Sequence, residues 1–222
     1  MNSGQEQQDR SGHRGRSKRQ EILAAATERF GRDGYEHTKW ADIARDVGVG
    51  PTALYHYFES KQHCLYKIMD DAIEDFRARF VTITAREPDP RRALEAVLRS
   101  CFELSEHEVL RNRVLVAEQG LLSTPSTSQR EEEARQAARA RIRELEFAWA
   151  SFLAAAMREG AIAETDPRLL TRAVLGLYNS IWNWYRSHGI VSLSDVGDYF
   201  TQLTLTMVGM PPQAADSERA AA

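Results

Sequence analysis

Between residues 50 and 61 the chain reads Gly-Pro-Thr-Ala-Leu-Tyr-His-Tyr-Phe-Glu-Ser-Lys. On a helix beginning at Pro51, Leu54 and Phe58 are spaced i and i+4, so they share one face and point to a core. Thr52, Ala53, Tyr55, His56 and Tyr57 then cover the outward circumference. These groups are suited to recognition. Tyrosine hydroxyls and a histidine ring donate to phosphate oxygens, and threonine and alanine methyls can meet thymine methyls. Lys61, just past the helix, offers a point charge for another phosphate.

The elements that must hold this face lie immediately upstream. A helix is predicted from about Lys39 to Val47, with Thr38 as its N-cap and Trp40, Ile43, Ala44 and Val47 turned inward. Ala44 is small enough to let a second helix cross closely. Gly48 sits where a tight turn demands positive φ. Val49 and Leu54 tie the two helices into one core, the signature of a helix-turn-helix whose second helix enters a DNA major groove. An α-hairpin inside a bundle would share this Ala-Gly-hydrophobic spacing, and the outward aromatics favour the DNA reading. A preceding helix is predicted from Ser17 to about Asp33, with Ile22, Leu23, Ala26 and Phe30 as its stripe and Gly34 as its stop.

The charge distribution agrees with this placement. The chain has 222 residues and a net charge of −3, yet residues 1–67 carry 11 Lys plus Arg against 9 Asp plus Glu, and the remainder carries 18 against 23. All the lysines (Lys18, Lys39, Lys61, Lys67) lie in the first segment. A basic first third on an acidic body suits a polyanionic partner. The polar basic start has no signal-peptide pattern, and no apolar run reaches the roughly 18 residues of a membrane span. Cys64 and Cys101 show neither metal-ligand spacing nor a disulfide framework. A cytoplasmic protein with reduced thiols and no membrane contact is expected.

The remaining periodicity is helical throughout. A fourth helix runs from Ser60 to about Thr84, and others are predicted over about 90–106, 109–122, 128–160, 166–187 and 193–209. The fold class is therefore all-α: about nine helices, a three-helix head on a larger helical body. Expected boundaries are a disordered basic tail over 1–16, the head over 17–67, the body over 68–210 and a second disordered tail over 211–222. The helix over 166–187 is apolar on two faces. Leu170, Val174, Leu177, Ile181 and Trp184 form one stripe, and Leu175, Tyr178, Trp182 and Tyr185 form another. Such a helix must be buried on both sides, by its own core and by something else.

The stretch "HTKWADIARDVGVGPTALYHYFESKQHCLYKI", with "F..DGY" over Phe30–Tyr35, resembles the DNA-binding head of the TetR family of bacterial transcriptional regulators. The likeness covers roughly residues 18–67. It implies that Thr38 and Lys39 contact phosphate, that Gly50, Pro51, Thr52 and Ala53 form the base-reading end of the recognition helix, that Tyr55, Tyr57 and Lys61 bind phosphates, and that His56 reads a base or phosphate. Departures from the family's pattern are Thr38-Lys39-Trp40, where "TTV" or "TSV" is common, and Gly50-Pro51, whose proline removes one backbone donor at the helix entry. The resemblance further implies a homodimer built by the last two long helices, here Leu170, Val174, Leu177, Ile181, Tyr199, Leu203 and Met207. Two heads would then meet successive turns of a palindromic double-stranded operator. It implies as well an effector pocket in the body. Phe76, Phe80, Phe102, Phe147, Trp149, Phe152, Tyr178 and Trp182 are candidates to line it, with Arg113 and Asn179 among the polar groups that could orient a ligand. A lipid-derived or acyl-CoA-like effector would release repression by population shift.

Other classes fit less well. There is no Gly-rich phosphate loop, nucleophile elbow, His-Glu-x-x-His or Glu-x-x-His motif, and the Glu103/His107 pair reads as a surface pair. Thus no catalytic residue, metal or cofactor is expected. An activator, or a helical protein-interaction module of the same fold without an effector, is the alternative. Salt-dependent DNA binding through the head discriminates the module.

Overall fold

The computed structural model describes residues 3–210, with side chains from residue 17 onward. The described residues hold only helices: α1 (Ser3–Asp33), α2 (Trp40–Asp46), α3 (Pro51–Leu54), α4 (Lys61–Arg86), α5 (Pro90–Ser100), α6 (Glu106–Glu118), a 3-10 turn (Gln119–Ser123), α7 (Gln129–Arg158), α8 (Pro167–Trp184) and α9 (Leu193–Met207). Local chemistry sets the ends. Asp89 accepts from the Arg92 N–H, Asp166 from those of Arg168 and Leu169, and Ser192 from that of Asp195. Proline follows Asp89 and Asp166 at the first helical position, where its missing donor costs nothing.

The expected start of α1 is corrected: its backbone is helical from Ser3, ahead of Ser17. The Gln, Glu and Arg residues there are good helix formers, and extending an existing helix is far easier than nucleating one. The tail expected over 211–222 lies outside the described residues.

The chain forms two compact units. One joins residues up to Ala72 with Leu110–Arg139, and the other joins Ile73–Val109 with Ala140 onward. The first unit is therefore larger than a three-helix head. Its core is Ile22, Ala26, Phe30, Ile43, Ala44, Leu54, Phe58, Leu65 and Tyr66, all buried. Tyr66 donates its hydroxyl to the Leu121 carbonyl (3.2 Å), and the buried Arg135 spans the Leu122 carbonyl (2.6 Å) and the Glu132 carboxylate. Ser60 caps α4 by accepting from the His63 N–H (3.0 Å) while donating to Glu131. In the second unit α5 packs on α9, and Gly197 is required there because a Cβ would lie 2.7 Å from that of Phe102.

Candidate DNA interface, dimer face and effector core

The head's turn is a Schellman motif. The Gly48 N–H donates to the Arg45 carbonyl (3.1 Å) and the Val49 N–H to the Ala44 carbonyl (2.9 Å), with Gly48 at φ +66. Two side chains of α1 fasten the same end of α2. Lys18 donates to the Val47 carbonyl (3.2 Å), and Arg29 forks onto Asp46. The recognition segment is thereby held against a fixed base.

That segment is shorter as regular helix than the expected Pro51–Phe58. α3 ends at Leu54, and the chain continues through tight turns in which the His56 N–H meets the Ala53 carbonyl and the Tyr57 N–H that of Leu54. Leu54 and Phe58 are fully buried, as their spacing requires. Pro51, Thr52, Tyr55, His56 and Gly50 are exposed, while Ala53 and Tyr57 are half-buried. Lys39 is exposed and stands at the N-cap of α2.

Two residues take roles other than those expected. Thr38 does not cap α2. It is buried, and its hydroxyl donates back to the Gly34 carbonyl at 2.8 Å, so it shapes the loop and has no surface to offer a phosphate. Lys61 donates to the carbonyls of Tyr35 (2.7 Å) and Thr38 (3.1 Å), with its ammonium 4.1 Å from the centre of the Tyr35 ring. Both interactions satisfy loop carbonyls that the helices leave open. Sequence spacing also missed Gln129, Arg130 and Glu133, which line a groove of about 620 Å³ with Tyr55 and Glu59. They come from a segment far along the chain, so only the fold reveals them.

The dimer expectation divides. On α9, Tyr199, Leu203 and Met207 are exposed in i, i+4, i+8 register. On α8, the expected stripe is corrected: Val174 and Ile181 are buried in the core, and Leu170 and Leu177 are half-buried. The outward face of α8 is instead Leu169, Ala173, Gly176, Ser180 and Trp184. Both faces of this helix are apolar enough that periodicity could not tell core from contact. A Cβ at Gly176 would meet open space, so nothing within the chain requires glycine there.

The expected pocket residues of the second unit converge as a chain of rings, except Phe147, which is corrected: it is 75% exposed and faces outward from α7. Phe80 stacks on Trp149 (4.6 Å) and meets Phe152 edge-on (5.8 Å). Phe76 lies 5.2 Å from Tyr178, which also meets Phe102 (6.0 Å) and Trp182 (5.5 Å). Asn179 is half-buried beside them in sequence, whereas Arg113 belongs to the first unit. Trp149 is fully buried and its indole N–H has no acceptor among the described residues, nor has the buried Thr201 hydroxyl a partner. Orphaned buried donors cost about 1–3 kcal/mol each and call for a cause, such as a bound acceptor. Desolvation holds the Tyr178 phenol well above its ordinary titration range, and burial pushes the Cys101 thiol up to about 12. Neither group ionises near neutral pH. Among the described residues no cluster of His, Cys, Asp or Glu could hold a metal.

Comparison with known proteins covers both parts of the chain. Residues 22–67 match the sequence model of the bacterial regulatory proteins of the tetR family, and residues 87–208 match the tetracyclin repressor-like C-terminal domain. The HTH-type transcriptional repressor KstR2 of Rhodococcus jostii is 28% identical over 216 residues, spanning 91% of this chain and 96% of that protein. The TetR family regulator PfmR of Thermus thermophilus is 28% identical with a TM-score of 0.69, covering 83% of this chain and 97% of its own. AibR, solved with isovaleryl coenzyme A and operator DNA, superposes with a TM-score of 0.70 at 21% identity over 88% of this chain and 100% of its own, a likeness of fold.

Proposed function

The chain belongs to the tetR family of bacterial regulatory proteins, and from that premise we propose that it is a ligand-responsive transcriptional repressor. It binds a palindromic operator as a homodimer and leaves it when an acyl-CoA-like or other lipid-derived effector enters the body. The observation that carries the DNA reading is the exposed face of Thr52, Tyr55 and His56, presented beyond a turn that Lys18 and Arg29 fasten to α1. Lys39 supplies a phosphate contact beside it. A helix-turn-helix dimer places its two recognition segments on successive major-groove turns.

The dimer forms through the outward faces of α8 and α9. Ala173, Gly176 and Ser180 allow close helix approach, and Leu169, Trp184, Tyr199, Leu203 and Met207 supply apolar area. The Trp184 and Phe200 rings, 6.4 Å apart, link the two helices, and exposed apolar residues grouped in this way on a single chain mark an association surface.

The effector reading rests on the ring cluster with the orphaned indole N–H of Trp149 inside it: a largely apolar lining with a few polar groups is how small-molecule sites are built. AibR, a protein of the same fold, binds an acyl-CoA thioester. The protein is a regulator, with no catalytic step assigned to it, and it works in the cytoplasm, where its operator is. No helix among the described residues is long and apolar enough to cross a membrane.

Selection of genomic DNA fragments by the purified protein at two salt concentrations tests the reading. Recovery of one palindromic site, held less tightly at higher salt, is the expected result. No enrichment at either concentration would overturn it in favour of a protein-interaction module.

A further inference from the structure

On the second unit, α7 and α8 frame a groove of about 240 Å³ lined by Arg143, Glu146, Phe147, Ala150, Arg168, Thr171 and Arg172. Three arginines converge there in a segment of the chain whose acids outnumber its bases. Among the described residues, no hydrogen bond or ion pair engages the side chain of any of the three. This is unusual here, because Arg29, Arg77, Arg99, Arg135 and Arg141 all find carboxylates. Phe147 lies in the same groove with 75% of its surface exposed, far more than a core ring. Arg143 and Phe147 are one turn apart on α7, and Arg168 and Arg172 one turn apart on α8, so each pair shares a face. Thr171 spends its hydroxyl on the Pro167 carbonyl (2.8 Å) and presents the groove with a methyl.

We propose that this groove is the docking site for the phosphorylated adenosine head of a coenzyme A thioester. The inference rests on the acyl-CoA form of the effector reading above and gives it a location. Guanidinium groups bind phosphate oxygens bidentately, and three of them match a head that carries a diphosphate and a separate 3′-phosphate. An exposed ring offers a stacking platform for a purine, with arginines at its edge. Glu146 is the one carboxylate in the groove. It repels phosphate, but it can accept from the exocyclic amine of adenine, which places the base at the Phe147 end and the phosphates against Arg168 and Arg172. The volume is below the roughly 300–1,000 Å³ of pockets that enclose a whole drug-sized ligand. It suits a head group, with the acyl part carried elsewhere by the apolar rings.

Calorimetric titration of the full-length protein with palmitoyl-CoA, with adenosine 3′,5′-bisphosphate and with palmitate tests this, using wild type, Arg168→Gln/Arg172→Gln and Phe147→Ala. The expected result is that each variant binds palmitoyl-CoA and the bisphosphate about ten-fold or more weakly, since each loses charge-assisted bonds or a stacking platform. Palmitate affinity should stay unchanged, which shows the variants are folded. Equal palmitoyl-CoA affinity in all three proteins overturns the groove while leaving the effector reading in place. If wild type binds no palmitoyl-CoA but binds the bisphosphate in an arginine-dependent way, the effector reading fails and the anion site stands. If neither binds, both fail. Loss of the dimer in the arginine variant, with unchanged affinity for the bisphosphate, would assign the arginines to the partner subunit instead.

Discussion

Arg29 grips Asp46 with two parallel hydrogen bonds, Nε to Oδ2 at 2.6 Å and Nη2 to Oδ1 at 2.9 Å. The pair joins α1 to the last residue of α2, where a carboxylate would otherwise oppose the helix dipole. The guanidinium holds the Asp46 carboxyl below its ordinary range. A depressed folded-state pKa contributes stability above the unfolded value of about 3.9, and that contribution is lost as pH falls through the folded value. The pair is a third exposed, so Asp46→Asn should cost only about 0.2–1 kcal/mol, and the difference from wild type should vanish in strong acid. Urea unfolding at pH 7 and below pH 3 measures both.

Gly48→Ala should destabilise the head by about 1–2 kcal/mol, from the left-handed backbone alone. No atom lies within 4 Å of the added methyl, so steric overlap contributes nothing. Gly50→Ala, at φ −68, is the control and should cost far less in the same denaturation series.

His56 and Lys61 should separate cleanly. His56→Ala should leave thermal stability and dimerisation intact and weaken operator binding about ten-fold, the scale of one lost base or phosphate contact. Lys61→Met should instead lower the melting temperature, because the Tyr35 and Thr38 carbonyls lose the Lys61 ammonium, which leaves Tyr35 with the longer bond from the Thr38 N–H (3.3 Å). The slope of operator affinity against salt should scarcely change, since a residue occupied within the head releases no counterion from DNA. A reduced slope in Lys61→Met would return that lysine to the phosphate contacts.

Leu203→Asp, or Gly176→Glu, should give a folded monomer by light scattering with unchanged helical circular dichroism. Ile181→Asp should unfold the second unit, because Ile181 is fully buried and an unpaired buried carboxylate is not tolerated. The contrast distinguishes contact face from core on one helix.

The head was the most legible part of the sequence, and for local reasons. The Ala44–Gly48–Val49–Leu54 spacing fixes a turn whose hydrogen bonds all lie within a few residues, and the i, i+4 pair Leu54/Phe58 dictates which ring faces in. The ring cluster was legible as a set, because large aromatics in a helical body have few places to go. What escaped depends on contacts distant in sequence. Thr38 and Lys61 are engaged by loop carbonyls that no periodicity announces. The two faces of α8 are both apolar, so which stripe is exposed shows only once Val174 and Ile181 are seen to be core. The arginine groove joins side chains of two helices, and its one sequence signal was the i, i+4 spacing of Arg168 and Arg172.

The most direct test of a ligand-responsive repressor is fluorescence anisotropy of the selected operator titrated with the protein, with and without palmitoyl-CoA, over a range of salt. Two protomers bound per palindrome, affinity falling steeply with salt, and release on adding palmitoyl-CoA but not coenzyme A lacking its acyl chain are the predicted results. Operator affinity indifferent to the thioester at every salt concentration would contradict the effector half of the account, and affinity indifferent to sequence would contradict the whole.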